Sequence, residues 1–201
     1  MKEPAIFLDR DGTITEMVYY PQHAFVDSPC APSQVTLIEG AGRALRSLQS
    51  LGYRLILISN QPGIAKKHFT PEIHRQMVQR LEDLLYLEGV AMTAQYYCLH
   101  HPQAKLGQYR MDCSCRKPRP GLLLRAAKEH GLSLRDSITI GDSLTDVLAG
   151  SQAGTKTILI STMNSLINRR IVELGIEPDF IASNLAEAVQ QVQFIRSGVR
   201  N

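Results

Sequence analysis

The sequence predicts an α/β protein built on a doubly wound parallel sheet with helices on both faces. Three observations lead there. Short β-branched or aliphatic runs alternate with longer amphipathic segments along 201 residues. The length and the balance of 44% hydrophobic to 20% charged residues suit one domain with a full core. Carboxylates and small polar residues follow the strand-like runs, where open α/β sheets gather ligands.

The elements follow in order. Ala5 to Asp9 reads as a buried strand ending at a carboxylate. Ala41 to Leu51 reads as a helix stopped by Gly52; Gly40-Ala41-Gly42 lacks the third glycine of a dinucleotide loop and is read as the helix start. Arg54 to Ser59 is a second strand, and Pro71 to Glu88 is a long helix with Thr70 as its N-cap. Ala94 to Cys98 is a third strand, Pro120 to His130 a helix closed by Gly131, and Ser137 to Gly141 a fourth strand. Then come a helix over Leu144 to Ala153 and a strand at Thr157 to Ser161. A helix around Ser165 to Leu174, a short strand at Asp179 to Ala182 and a helix near Leu185 to Ile195 complete the chain. No repeat or linker divides it, so residues 1–201 are expected to form one domain.

Composition narrows the function. The apolar run before Asp9 is only four residues, Ala5 to Leu8, too short for a secretory leader. The other runs are of strand length, far below a membrane span. A soluble, cytoplasmic protein is expected. The net charge of +3 favours phosphorylated ligands but is too weak for a nucleic-acid groove. Of the four cysteines, Cys113 and Cys115 are one residue apart, and metal binding reads better than disulfides for three of the set.

The predicted strand ends carry the chemistry. The first delivers Asp9-Arg10-Asp11-Gly12-Thr13, the second Ser59-Asn60-Gln61, and the fourth Gly141-Asp142-Ser143 with Asp146 one turn on. Cys115-Arg116-Lys117-Pro118 lies between the third and fourth strands. Taken singly, these are ordinary turn, cap or surface residues. Together they open onto one crevice. One of two carboxylates a residue apart can attack phosphorus while the other protonates the leaving oxygen. Asp142 can complete an oxygen set for magnesium, Lys117 can offset phosphoryl charge, and Ser59 can bind a phosphoryl oxygen.

Asp9-x-Asp11-Gly12-Thr13, Ser59, Lys117 and Gly141-Asp142 with Asp146 resemble, in order, the four motifs of the haloacid dehalogenase superfamily of phosphohydrolases. The resemblance runs from about Ile6 to Ile160 and implies a Rossmann-like sheet. It also implies Asp9 as nucleophile, Asp11 as general acid and then base, and Lys117 as the group steadying the phosphoenzyme. Magnesium would be held by Asp9, the Asp11 backbone carbonyl and Asp142, with Asp146 behind them. Thr13, Ser59, Asn60, Gln61 and Arg116 would bind substrate.

Cys98-Leu99-His100 and Cys113-Ser114-Cys115 supply three thiols and an imidazole, a set that suits closed tetrahedral zinc. By spacing alone, buried free cysteines beside a surface His100 are an equal reading. The stretches Tyr96 to Pro102, Cys113 to Gly121 and Asn60 to Ala65 are similar to the bacterial subfamily of D-glycero-D-manno-heptose 1,7-bisphosphate 7-phosphatases and histidinol-phosphate phosphatases. That likeness implies structural zinc on Cys98, His100, Cys113 and Cys115, with His101 not a ligand, and release of the 7-phosphate of the heptose bisphosphate. A single domain of this size with a small cover is expected to work as a monomer. Histidinol phosphate or another small phosphomonoester is the alternative substrate. A polynucleotide 3′-phosphatase fits less well, since Trp is absent and no basic stripe with stacking residues is evident. A silent binding fold is ranked last because Asp9 and Asp11 are both present. Three features depart from the subfamily: Thr15 replaces the usual Asn, Ser143 replaces a frequent Lys, and the segment about 16–34, a minimal cap loop containing Cys30, is longer.

Overall fold

The computed structural model describes residues 2–161, 171 and 173–197. Strand β1 (Ala5–Leu8) is buried along its whole length and pairs in parallel with β4 (Arg54–Asn60) on one side and β6 (Ile138–Gly141) on the other. Outside these lie β5 (Ala94–Cys98), β7 (Lys156–Ile160) and β8 (Phe180–Ala182), giving a six-stranded sheet in the order β5-β4-β1-β6-β7-β8. The strand order reverses at β1, and the expected doubly wound parallel sheet is observed.

Alternation along each strand builds two cores. Ile6, Leu8, Leu55, Leu57, Ile138 and Ile140 face α1 (Ala41–Ser50), α2 (Pro71–Leu87) and α5 (Leu185–Ser197). Ala5, Phe7, Ile56 and Ile58 face α3 (Gly121–His130) and α4 (Leu144–Ala153). Each fully buried aliphatic side chain stabilises the fold by roughly 1.5–3 kcal/mol, which is why both faces of a parallel sheet must be covered. Helix starts follow local chemistry. Thr70 Oγ1 accepts a hydrogen bond from Ile73 N at 3.3 Å, with Pro71 in the first turn of α2.

Most boundaries lie within two residues of those read from the sequence. The expected helix around Ser165 to Leu174 falls mostly outside the described residues; Ile171, Glu173 and Leu174 are helical. The segment 16–34, expected as a minimal cap loop, holds more structure than a loop. Val18–Tyr20 (β2) and Phe25–Asp27 (β3) form an antiparallel hairpin around a 3-10 turn at Pro21–His23. Their β-branched and aromatic residues favour strands, but runs of three are too short to show a period. Among the described residues, no helix is long and apolar enough to cross a membrane.

Candidate active site

The carboxyl ends of β1, β4 and β6 open onto one crevice at the reversal of strand order, where this topology leaves room for a ligand. Asp9 continues β1, its N–H bonded to Ile140 O at 3.0 Å. Asp142 follows β6. Gly12, at φ +79°, lets it come close: a Cβ there would stand 2.1 Å from Asp142 Oδ2. Asp146 lies in the first turn of α4 and accepts from Ser143 N at 3.1 Å through Oδ2.

Lys117 reaches into this group from the segment before α3. Its ammonium donates to Asp9 Oδ1 at 2.7 Å, to Ile58 O at 2.9 Å and to Asp146 Oδ1. Burial alone would depress the ammonium, but Asp146 and Asp9 reverse that and hold it above its usual range. Burial, reinforced by Asp9 and Asp146 against Lys117, pushes Asp142 up to about 7. Asp146 is likewise pushed up to about 6, chiefly by burial, with Lys117 opposing.

Oxygens of Asp9, Asp142 and Asp146 all lie within 4.8 Å of one another. Three clustered carboxylates against one ammonium leave an excess of negative charge, and hard oxygen donors with that charge fit magnesium. Both oxygens of Asp146 are already engaged, so Asp9 and Asp142 are better placed to ligate.

Asp11 sits in a different environment. Oδ1 accepts from Arg10 Nε at 2.8 Å and from the Thr15 hydroxyl at 2.9 Å. Oδ2 accepts from Arg10 Nη2 at 2.9 Å and Gln61 Nε2 at 2.7 Å. Burial pushes this carboxyl up, but Arg10, with help from Gln61 and Ser28, holds it below its usual range. Thr15, one of the departures from the subfamily, is thus a partner of Asp11. Ser59 is buried, and the buried Thr13 hydroxyl is without a hydrogen-bond partner within the protein.

Asn60 grips the Lys117 backbone at both ends: Nδ2 donates to Lys117 O and Oδ1 accepts from Lys117 N, each at 3.1 Å. Arg116 Nη1 donates to His100 O at 3.3 Å. Just outside, the sulfurs of Cys98, Cys113 and Cys115 are separated by 3.6, 3.3 and 3.1 Å, and His100 Nδ1 is 3.3 Å from Cys115 Sγ. Tetrahedral zinc with bonds of about 2.3 Å needs sulfurs about 3.8 Å apart, close to this spacing. Three thiols and one imidazole fit that ion chemically. His101 is not among these four groups.

The β2–β3 hairpin borders a separate cavity. Tyr20, Gln22, Phe25, Asp27, Cys30 and His68 line this space of about 450 Å³ between the hairpin and the loop after β4. Ser143 caps α4, its Oγ accepting from Thr145 N at 3.2 Å, so no cation stands there. Sequence reasoning did not find Arg10 as a site residue. A wholly buried arginine between two aspartates leaves no periodic signal, because arginine is ordinarily exposed.

Fold and site together define a hydrolase of the haloacid dehalogenase type. The family model described as HAD-hydrolase-like matches residues 114–188. A D-glycero-beta-D-manno-heptose-1,7-bisphosphate 7-phosphatase of Pasteurella multocida is 35% identical over 195 residues, covering 96% of this chain and 98% of that one. Its counterpart in Helicobacter pylori is 37% identical over 164 residues, covering 81% and 86%. The crystal structure of D,D-heptose 1,7-bisphosphate phosphatase from B. bronchiseptica, complexed with magnesium and phosphate, superimposes with a TM-score of 0.76 at 26% identity, covering 97% of this chain and 99% of that one. The chain belongs to the haloacid-dehalogenase-like phosphatase family of which these heptose bisphosphatases are members.

Proposed function

We propose that this phosphatase removes the 7-phosphate of D-glycero-β-D-manno-heptose 1,7-bisphosphate through an aspartyl-phosphate on Asp9. The observation that supports this most is the meeting of Asp9, Asp142, Asp146 and Lys117 where the strand order reverses. The relatives named above point to the sugar.

In this reading Asp9 attacks phosphorus, its carboxylate oriented by the Lys117 ammonium. Against burial, Arg10 keeps Asp11 ionised before substrate binds. Asp11 therefore takes up a proton as substrate enters, passes it to the leaving sugar oxygen and later takes a proton from the attacking water. Ser59 and Thr13 receive the phosphoryl oxygens, and the nearby Lys117 ammonium offsets their charge; Thr13 brings a hydroxyl with no internal partner. Asn60 holds the Lys117 backbone, and Arg116 meets the far end of the substrate. Asp9, the Asp11 backbone carbonyl and Asp142 would hold magnesium. When bound, magnesium neutralises charge on the phosphoryl oxygens. Cys98, His100, Cys113 and Cys115 would hold structural zinc and pin the loop that carries Arg116 and Lys117.

The whole chain then works as one domain, with residues 16–34 as its cap, on a small phosphorylated sugar. A monomer in the cytoplasm, with no nucleic-acid or membrane partner, completes the proposal. The test is phosphate release, with magnesium, from heptose 1,7-bisphosphate and histidinol phosphate in parallel. Selective loss of one phosphate from the heptose supports the assignment. Preference for histidinol phosphate keeps the chemistry and overturns the substrate.

A further inference from the structure

Gln61 stands at the edge of the crevice in sequence, yet its side chain is turned inward and only 2% of the residue is exposed. Oε1 accepts from Arg10 Nη2 at 2.9 Å. Nε2 donates to Asp11 Oδ2 at 2.7 Å and to Ser59 Oγ at 3.0 Å, which uses both amide hydrogens. The backbone is fixed as well: Gln61 N donates to Cys98 O at 2.8 Å. Such an amide has no hydrogen left for a substrate.

Its partners define what it does instead. Ser59 Oγ accepts one amide hydrogen, so the hydroxyl proton is left to be donated elsewhere, and a phosphoryl oxygen is the acceptor the crevice supplies. Asp11 is gripped from two sides, by Gln61 and by the fork of Arg10, a residue with 0% exposure. A carboxylate held this way has its side-chain torsions fixed before substrate arrives. Misplacing a reacting group by about 1 Å can cost on the order of 100-fold in rate.

We propose that Gln61 is a positioning residue that sets the Asp11 carboxylate and the Ser59 hydroxyl together, with Arg10 as the rigid backing of the pair. The proposal rests on the reading of Asp11 as the general acid. It gives the first and second strand ends a shared hydrogen-bond register, so acid and phosphate ligand move as one unit.

A leaving-group comparison tests it. A sugar alkoxide needs a proton as it leaves, whereas p-nitrophenolate leaves without one. Since kcat/KM reports only steps up to phosphoenzyme formation, the later base role of Asp11 does not enter. The full chain with magnesium is assayed as wild type, Gln61→Leu, Arg10→Lys and Asp11→Asn. One substrate is p-nitrophenyl phosphate. The other is whichever the wild type hydrolyses best of heptose 1,7-bisphosphate, histidinol phosphate and fructose 1,6-bisphosphate. Gln61→Leu and Arg10→Lys are expected to lose about 10- to 100-fold on the alkyl phosphate and less than about threefold on the aryl phosphate. Gln61→Glu keeps the shape and removes the donor, and it replaces Gln61→Leu if thermal melts show that variant unfolded. Equal losses on both substrates, alongside a selective loss in Asp11→Asn, would overturn the positioning role alone. Equal losses in Asp11→Asn itself would overturn the acid reading and this proposal with it.

Discussion

Lys117 Nζ stands 2.7 Å from Asp9 Oδ1, and the same ammonium also donates to Asp146 and to Ile58 O. An ammonium has three hydrogens, and all are used. Asp9, the first turn of α4 and the end of β4 are therefore tied to one point, supplied by the segment just after Cys113 and Cys115. Whatever fixes that segment also fixes the side of Asp9 that faces Lys117.

Lys117→Met tests the tie. The change removes the one ammonium among Asp9, Asp142 and Asp146 at nearly constant volume, leaving their charge uncompensated. Breaking one side of a buried ion pair costs about 3–5 kcal/mol, and a loss of that size is expected for the metal-free protein in urea. Magnesium should then raise the melting temperature of the variant more than that of the wild type. An equal magnesium effect on both would show that Lys117 does not balance this cluster.

Asp9→Asn replaces the proposed nucleophile with a neutral group of the same shape. Activity is expected to fall by about 10⁴-fold or more, since the covalent step is lost. Stability should change little, or rise, because Asp9 contributes to the repulsion that lifts Asp142 and Asp146. Activity assays and thermal melts on one preparation decide it; residual turnover within tenfold of wild type, about 1.4 kcal/mol, sinks the aspartyl-phosphate step.

Much of this was legible because residue type and strand position coincide. Asp9 and Asp142 follow short buried runs, Ala5–Leu8 and Ile138–Gly141, whose length and β-branched residues suit central strands of a covered sheet. The thiols Cys113 and Cys115 sit one residue apart with Cys98 and His100 upstream; residue chemistry left zinc and free thiols level, and the subfamily likeness favoured their meeting. Orientation was not legible. Gln61 was read as a substrate residue, but its amide turns inward because Asp11, Arg10 and Ser59, distant in sequence or ordinary in type, offer it partners. The β2–β3 hairpin was missed because three-residue strands carry no period and Pro21 interrupts them.

The zinc reading makes its own prediction. Chelation, or Cys113→Ser, should lower the melting temperature by several degrees, since losing a metal that holds the folded state alone removes its binding energy from stability. Activity should fall in parallel, because Arg119 donates to Cys113 O at 3.0 Å and Gly121 N to Ser114 O at 3.0 Å, joining the cluster to the segment bearing Lys117. Metal analysis of the purified protein with melts before and after chelation checks this. Unchanged melting and unchanged activity after zinc removal would exclude a structural role.

His74 supplies a pH dependence. Its ring lies against Phe69 and edge-on to Tyr97, with centroids 6.3 and 5.2 Å away, and Nε2 is buried without a partner. Burial, with Arg10 adding repulsion, pushes this histidine down to about 4 from an ordinary 6.5. In that range the unfolded chain binds a proton that the folded protein refuses. Stability from the neutral ring is therefore present above about pH 6.5 and is lost as pH falls toward 4. His74→Phe removes the linkage. Whatever its packing effect at pH 7.5, the variant should gain on the order of 1 kcal/mol relative to wild type by pH 5. Paired urea unfolding at the two pH values measures the change directly. Asp142 and Asp146 titrate in both proteins and cancel in the difference, so a stability gap that stays constant with pH leaves no room for a neutral, buried His74.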